Sequence, residues 1–293
     1  MDWKELWATI KGTGHEWGED KLSRIAAALA YYTIFALPPL LVIAIAVAGA
    51  VIGRQNVQER VIAQVQGVIG QAGAQAVAAM IQGAQNSSGG VLATVLSVIL
   101  LLFSAAGVFV QLQDAFNTVW DVPPGKQGGL LRTLLVRLEA VAMVIGVGFL
   151  LLLSMLISTA LSAVGTFAAH YLPASGLVMQ AIDYVVSFAV IAVLFALIFR
   201  YLPDADVQWR DVWPGAAITA LLFILGQLGI GLYLGRSAVS STYGAAGSLA
   251  IILLWVYYSA QILLLGVEFT QVYAKHLGSR QGQERRSQAE MRG

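Results

Sequence analysis

The chain has 293 residues and a mass of 31.1 kDa, a length that would suit about two soluble domains of roughly 150 residues. Its composition excludes them, because 58% of the residues are hydrophobic and only 11% are charged, where a soluble domain carries about 25%. The lack of cysteine excludes a disulfide-stapled secreted domain, and a net charge of +1 is too small for a nucleic-acid-binding surface. The mean hydropathy of +0.75 predicts an all-α polytopic membrane protein.

Residues 1–24 mix acidic and basic side chains, and the apolar block that follows is too long for the core of a cleavable signal. We therefore expect this segment to be retained. The spacing of its apolar residues predicts a short helix that lies in the cytoplasmic membrane interface and ends at Gly12 and Gly14. Those residues are Trp3, Leu6, Trp7 and Ile10.

Six apolar blocks approach the length of about 20 residues that a helix needs to cross a bilayer. The predicted spans are 25–52, 91–110, 140–164, 185–199, 212–234 and 246–269. Together they define a membrane domain over residues 25–273. The tail 274–293 is polar and basic, and its composition is typical of a disordered cytoplasmic segment.

Lysine and arginine predict the orientation, because they are enriched in short cytoplasmic loops. With the N-terminus inside, the inner segments hold 14 of the 17 cationic residues, so both termini are predicted to be cytoplasmic in a bacterial inner membrane. Six tryptophans also fall near the predicted inner boundary, as in an interfacial aromatic belt. They are Trp3, Trp7, Trp17, Trp120, Trp209 and Trp213.

The segment 54–90 between the first two spans has small or apolar residues every three or four positions, which predicts two amphipathic helices on the outer side. Gly67, Gly70 and Gly73 would weaken the helix in the middle. The pattern leaves open whether the segment is a fixed cap or a mobile lid. The stripe consists of Val57, Val61, Val65, Val68, Ala72, Ala76, Ala79 and Gly83.

The chain offers little catalytic chemistry. It has three histidines without metal-ligand spacing, and it lacks a nucleophile elbow, a P-loop and a zinc-protease motif. We therefore expect no enzyme activity, no cofactor and no metal site. The acids Asp204, Asp206 and Asp211 cluster beside Arg210 in a short loop, where solvated, helix-capping roles are expected.

Polar residues inside the spans are the main functional signal, because each one costs free energy unless it faces protein or water. In the sixth span Tyr258, Gln261 and Glu268 share one helix face, and Pro38 and Pro39 are expected to kink the first span. For the hydroxyl residues of the spans, simple packing is the alternative interpretation. The predicted substrate pathway is Asp20, Arg24, Tyr31, Tyr32, Pro38, Gln111, Asp114, Asn117, Gln227, Arg236, Tyr243, Tyr258, Gln261 and Glu268.

Three motifs lie between about Asp20 and Tyr273, and they are Ala28-Leu29-Ala30-Tyr31-Tyr32 with Leu37-Pro38-Pro39-Leu40, Leu112-Gln113-Asp114-Ala115-Phe116-Asn117 with Val119-Trp120, and Tyr243-Gly244-Ala245-Ala246-Gly247-Ser248 with Leu254-Trp255-Val256-Tyr257-Tyr258-Ser259-Ala260-Gln261 and Gly266-Val267-Glu268-Phe269-Thr270. These motifs resemble the YihY/BrkB family of bacterial inner-membrane proteins. The resemblance implies six spans and movement of lipids or ions, in a family once labelled ribonuclease BN and also named as a virulence factor.

The leading hypothesis is a transporter-like protein with a cavity lined by spans 1, 2, 5 and 6, through which an amphipathic or charged substrate, a lipid above all, would pass. An ion-coupled cation or proton transporter and a non-transporting scaffold are the alternatives. Membrane lipids are the expected partners, and nucleic acid is not. Glycines with small-xxx-small spacing fit contacts within one chain or between copies, which leaves a homo-oligomer open.

Two mouths of the pathway can be proposed from sequence. Arg236 precedes a serine-rich stretch up to Tyr243 that is predicted to be a flexible outer loop with donors for an anion. At the inner rim, Arg24 and Glu268 are predicted to share a depth and to form an ion pair, with Asp20 as a competing partner of Arg24.

Overall fold

A computed structural model of the chain describes residues 3–85, 107–123, 175–236 and 239–280. Within these ranges the regular structure is entirely α-helical, which confirms the predicted all-α class. The helices are α1 (Trp3–Glu19), α2 (Leu22–Ile52), α3 (Arg54–Gln85), α4 (107–119), α5 (Ser175–Tyr201), α6 (Trp209–Arg236) and α7 (Val239–His276).

Three of these helices are long and apolar enough to cross a bilayer. Their apolar stretches, Tyr184–Tyr201, Trp209–Gly229 and Leu249–His276, correspond to the predicted fourth, fifth and sixth spans. The predicted first span lies on α2, whose apolar stretch over the residues with described side chains is Leu22–Pro38. The third predicted span and residues 91–106 of the second lie outside the described residues, so the count of six stays a prediction.

Helix α7 is longer at both ends than the predicted sixth span of 246–269. Residues 240–247 are therefore helical, and the predicted flexible outer loop up to Tyr243 is wrong. A non-helical backbone in the hydrocarbon core of a membrane leaves its N–H and C=O groups without hydrogen bonds. This cost favours continuation of the helix despite its glycines. At the other end the helix continues eight residues past Glu268 to His276, which places this carboxyl group about 12 Å inside the helix end. The predicted position of Glu268 at the cytoplasmic rim of the membrane stays a prediction.

Helix α1 does not end at Gly12 and Gly14 as predicted, but continues to Glu19. A glycine inside a helix costs roughly 1 kcal/mol relative to alanine, and Gly12 offsets this by close packing. A Cβ at this position would lie 3.1 Å from Cγ1 of Val272 on α7. The flanking Thr9 and Thr13 are buried.

The turn between α1 and α2 contains Asp20 and Lys21, and Lys21 adopts the left-handed region with φ 53°. Since Asp20 precedes the helix, Asp20 and Arg24 are not one helical turn apart on α2, and their predicted contact stays a prediction. Helix α2 itself continues through Pro38 and Pro39, and the predicted kink there stays a prediction.

Helix α3 has a break at Gly70, where φ is 77° and ψ is −179°, as the glycines of this segment predicted. The break resets the helical phase. Ala79 and Gly83 of the predicted stripe are exposed, so the predicted stripe is wrong for these two positions after the break. After Gly70 the buried positions are instead Ala74, Val77 and Ile81.

The chain divides into two compact units. Unit 1 comprises Met1–Glu16, Phe116–Leu221 and Leu265–Gly293, and unit 2 comprises Trp17–Ala115 and Leu222–Leu264. In unit 2, residues of α2, α3 and α7 form one apolar core in which Phe223 of α6 also packs. Helix α3 thus contributes to the core of this unit, and its predicted location on the outer side of the membrane stays a prediction. The buried core residues are Ile45, Val57, Val77, Ile81, Ile252 and Trp255.

Candidate functional site

In unit 1 the end of α4 is fixed to the connection between α5 and α6. Asn117 donates from Nδ2 to Oδ2 of Asp204 at 2.9 Å and accepts the backbone N–H of Asp204 at 2.8 Å. This two-way contact gives Asn117 a structural role, and its predicted place in a substrate pathway stays a prediction. Nearby, Arg200 forms an ion pair with Asp206 at 3.2 Å, so two acids of the predicted solvated cluster have protein partners.

The third acid of that cluster, Asp211, is only 1% exposed, and the predicted solvated role is wrong for it. Its carboxylate accepts the backbone N–H of Ser279 at 3.1 Å and also the Ser279 hydroxyl. Gly278 allows this approach, because a Cβ there would collide with the Asp211 carboxylate. Asp211 therefore joins the start of α6 to the chain that follows α7.

The end of α7 also contacts the end of α4. Asp121 accepts hydrogen bonds from Nε2 of Gln271 at 3.1 Å and from Nζ of Lys275 at 3.3 Å. The guanidinium of Arg280 lies 4.7 Å from the ring centre of Trp120. Trp120 is 3% exposed, so it is not the interfacial belt residue that the sequence predicted.

These contacts gather four segments at one end of unit 1: α1, the end of α4, the α5–α6 connection and the end of α7. They are the same four segments that the cationic residues predicted to share the inner side of the membrane. The exposed rings of Trp209 and Trp213 lie 6.2 Å apart at this end, as expected of belt residues.

Glu268 is the most deeply buried carboxyl group of the predicted pathway, with 0% exposure. It lies in α7 of unit 1, three residues before Gln271, which is 1% exposed. Since residues three apart share a helix face, Glu268 and Gln271 lie on the same side of α7. Sequence reasoning missed Gln271, although its spacing from Glu268 continued the polar stripe of the sixth span.

Two buried polar atoms of this region have no hydrogen-bond partner within the described ranges. They are Oε1 of Gln271, an acceptor, and Nε1 of Trp120, a donor. Gln271 contacts Asp121, the chain neighbour of Trp120, so both atoms belong to one neighbourhood. Buried polar atoms in native proteins nearly always have a partner, and ordered water serves where protein does not.

Helices α6 and α7 pack closely against each other through small residues in unit 1. A Cβ on Gly215 would collide with Oγ1 of Thr270, and a Cβ on Gly266 would collide with Oγ1 of Thr219. This seam leaves no room for a passage between the two helices at these positions. The predicted cavity lined by spans 1, 2, 5 and 6 stays a prediction.

In unit 2, Tyr258 also closes the α6–α7 pair. Its hydroxyl donates to the carbonyl of Leu222 at 3.2 Å, and its ring fills the space that Gly226 leaves open. These contacts give Tyr258 a packing role, and its predicted place in a substrate pathway stays a prediction. Gln227 on α6 and Gln261 on α7 are half-buried.

The α2 aromatic ladder consists of Tyr31, Tyr32 and Phe35, which are all exposed, and its two tyrosines belong to the predicted pathway. Their exposed fractions are 59%, 45% and 63%. The Tyr31 ring centre lies 4.9 Å from that of Phe35 and 6.0 Å from that of Tyr32. The exposed rings are accessible to a ligand, and the predicted place of Tyr31 and Tyr32 in a substrate pathway stays a prediction.

The remaining residues of the predicted pathway lie on different helices. Pro38 and Gln111 are half-buried and Asp114 is exposed, all in unit 2. Arg236 and Tyr243 are helical, and their side chains lie outside the described part of the structure.

The predicted inner ion pair joins residues with different environments. Arg24 is exposed and belongs to unit 2, whereas Glu268 is fully buried and belongs to unit 1. The pair stays a prediction. Across the described ranges, no group of three His, Cys, Asp or Glu side chains is arranged to hold a metal ion.

The sequence model of the family described as "Virulence factor BrkB" matches residues 13–291. The chain belongs to the BrkB family. A UPF0761 membrane protein of Verminephrobacter eiseniae is 31% identical over 287 residues, which cover 90% of this chain and 62% of the relative. Another of Stenotrophomonas maltophilia strain R551-3 is 28% identical over 277 residues, covering 89% and 59%.

The BrkB-family chain thus spans about three fifths of the length of these relatives. The YfkH protein of Bacillus subtilis, with "ribonuclease-like protein" in its name, is 26% identical over 194 residues, covering 65% of this chain and 68% of the relative. No solved structure matches the chain. The family and the three apolar helices identify a membrane protein.

Proposed function

We propose that this BrkB-family protein moves an amphipathic or charged substrate across the bacterial inner membrane, with an anionic lipid as the first candidate. The observation that carries the proposal is the α2 aromatic ladder. Tyr31 and Tyr32 expose phenol hydroxyls on an apolar helix, and Tyr31 lies nine residues, about 14 Å, after the helix start at Leu22. A hydroxyl in hydrocarbon is costly without a polar partner.

A lipid offers partners to both parts of the ladder. Its phosphate and ester oxygens accept hydrogen bonds from the tyrosine hydroxyls, while its acyl chains contact the exposed face of Phe35 and the edges of the tyrosine rings. A soluble ion would use the hydroxyls but not the apolar rings. The ladder therefore favours an amphipathic substrate, and its movement involves no covalent change.

The gathering of four segments at one end of unit 1 supports the proposed orientation. If that end faces the cytoplasm, the positive-inside rule, the exposed tryptophans of α6 and both predicted termini agree on one side. The α2 ladder belongs to unit 2.

The test is movement of a fluorescent anionic phospholipid between leaflets of liposomes that contain the full-length protein. Tyr31→Phe with Tyr32→Phe removes two hydroxyls and keeps both rings. If each hydroxyl contributes a hydrogen bond of about 1 kcal/mol, the rate of lipid movement between the leaflets should fall roughly 10- to 30-fold in this double variant. Tyr184→Phe is the matched control, because Tyr184 is a 67% exposed tyrosine of the apolar helix α5. Equal rates in the double variant and the wild type would contradict the role of the ladder.

Coupling to a cation or proton is the second candidate, and the buried Glu268 favours it. In liposomes with a pH-sensitive dye, Glu268→Gln should abolish any cation or proton flux. Glu59→Gln should leave the flux unchanged, because Glu59 is exposed on α3. A protein that moves neither lipid nor ions would instead be a scaffold.

A further inference from the structure

We propose that the exposed face of α2 in unit 2 binds one glycerophospholipid lengthwise, with its phosphodiester at Arg24 and its ester and acyl groups along the α2 aromatic ladder. The inference deepens the proposed function and rests on it for the purpose of the site. It names the residue that binds the headgroup and the leaflet from which the lipid is taken. The binding itself does not depend on whether the lipid then crosses the membrane.

Arg24 lies on the same face of α2 as the ladder. Tyr31 and Phe35 follow it by seven and eleven residues, close to two and three helical turns, so the three side chains stand in one row. All three side chains are exposed. The opposite side of the helix is buried, at Leu22 and Leu29. A ligand on the exposed face therefore contacts the guanidinium and the aromatic rings together.

The spacing along α2 matches the depth profile of a phospholipid in one leaflet. Tyr31 lies about 10 Å and Phe35 about 16 Å beyond Arg24 along the helix axis. The headgroup layer of a leaflet is about 5–8 Å thick, and the hydrocarbon follows it. A phosphate at Arg24 thus places the ester oxygens toward the tyrosine hydroxyls and the acyl chains against Phe35. The lipid is taken from the leaflet at which α2 begins, which the cationic residues predict to be cytoplasmic.

The charge of Arg24 determines the headgroup chemistry. Arg24 is the only charged residue in the sequence of α2, so this helix presents positive charge alone. A guanidinium donates to two phosphate oxygens at once, and such charge-assisted pairs are stronger than neutral hydrogen bonds. The acids Glu19 and Asp20 precede the helix, and each already interacts with another group. Arg24 is therefore the group of this face that an anionic headgroup would contact.

Along this face of α2, no bulky side chain separates Arg24 from Tyr31. The turn between them presents Ala27, which is exposed, and Ala28, which is half-buried. The two methyl groups leave space at the helix surface for the glycerol of the lipid. Inorganic phosphate would use the guanidinium and gain nothing from the rings, whereas an acyl chain alone would use only the rings. A glycerophospholipid carries both parts in one molecule.

A lipid titration of the full-length protein tests the site. Dioleoylphosphatidylglycerol is added to delipidated protein in detergent, and the bound lipid is counted by native mass spectrometry. Arg24→Gln should weaken the binding about tenfold or more, and Arg24→Lys should weaken it less because the charge is kept. The matched control is Arg54→Gln, since Arg54 is an exposed arginine in the first turn of another helix of unit 2. Equal affinities of Arg24→Gln and Arg54→Gln would overturn the site.

A second pair of variants tests the space beside the charge. Ala27→Trp fills the gap between Arg24 and Tyr31 and should weaken the binding of the same lipid. Ala63→Trp, at an exposed alanine of α3, should leave the affinity unchanged. Equal affinities of these two variants would contradict a lipid that lies along α2.

Two further ligands separate the parts of the lipid. Dioleoylglycerol lacks the phosphate and should bind the wild type about tenfold more weakly than the phospholipid, with no further loss in Arg24→Gln. Inorganic phosphate at the concentration of the lipid should not displace it. If dioleoylglycerol binds as tightly as the phospholipid, the contact is apolar only, and if phosphate displaces the lipid, the site serves a free anion. Either result would overturn the proposal.

Binding in detergent requires no movement between leaflets, so the site and the proposed function can fail separately. A lipid that binds at Arg24 but does not cross the liposome membrane would refute the function and leave the site. Lipid movement by a protein whose lipid affinity is unchanged in Arg24→Gln would refute the site and leave the function.

Discussion

The glycine seam between α6 and α7 gives a prediction that depends on a few atoms. At Gly266 an added Cβ would collide with Oγ1 of Thr219, and it would lie 2.8 Å from Cζ of Phe199 and 3.0 Å from Cβ of Thr219. Thr219 has little freedom to move, because it is 0% exposed and its hydroxyl donates to the carbonyl of Gly215 at 2.7 Å. Overpacking of this kind costs about 1–3 kcal/mol.

Gly266→Ala should therefore lower the thermal stability of the detergent-purified protein, even though alanine favours a helix by up to about 1 kcal/mol over glycine. The matched control is Gly229→Ala on α6, where an added Cβ meets nothing within 4 Å and stability should stay equal or rise. Thermal unfolding can be followed by tryptophan fluorescence or by loss of the monodisperse peak on size exclusion.

A double-mutant cycle distinguishes this collision from a general intolerance of α7 to substitution. Thr219→Ala removes the atom that the new Cβ would meet, so Thr219→Ala with Gly266→Ala should be more stable than the sum of the two single effects predicts. If Gly266→Ala unfolds at the same temperature as Gly229→Ala, or if the cycle shows no coupling, the described seam is wrong.

Two further predictions concern the attachment of α4 and the topology of the chain. Asn117→Ala removes both hydrogen bonds to Asp204, and a typical intramolecular hydrogen bond contributes about 0.5–1.5 kcal/mol, so the free energy of unfolding should fall by about 1–3 kcal/mol, with Gln55→Ala on the exposed face of α3 as the control. Reporter fusions after Arg286 should be active in the cytoplasm and those near Asn86 on the outer side; an external C-terminal reporter would refute the proposed orientation.

Much of the helical architecture could be predicted from the sequence, because an apolar block in a membrane has few alternatives to a helix. The fourth to sixth spans and the break of α3 at Gly70 were predicted correctly for this reason. Helix ends were less predictable. Gly12 was expected to end α1, but its missing side chain is what lets α1 approach Val272 of α7.

The residues of the candidate site were likewise predictable only where the physical reason was local. The sequence identified Glu268 as a polar group on an apolar helix, and its cost in hydrocarbon is a local property that any such residue has. It could not predict that Tyr258 and Asn117 would serve packing and loop attachment, since their partners, Leu222 and Asp204, are distant in sequence.

By itself the sequence determined that the protein is a helical membrane protein of a recognisable family, because composition and helical periodicity act over a few neighbouring residues. Only the tertiary structure decided which polar side chains meet. Gln271 and Asp121 are 150 positions apart, and nothing in either segment specifies the other until α4 and α7 pack. The partnerless atoms of Gln271 and Trp120 are likewise a property of that packing, since a hydrogen bond is satisfied or left open by geometry and not by residue type.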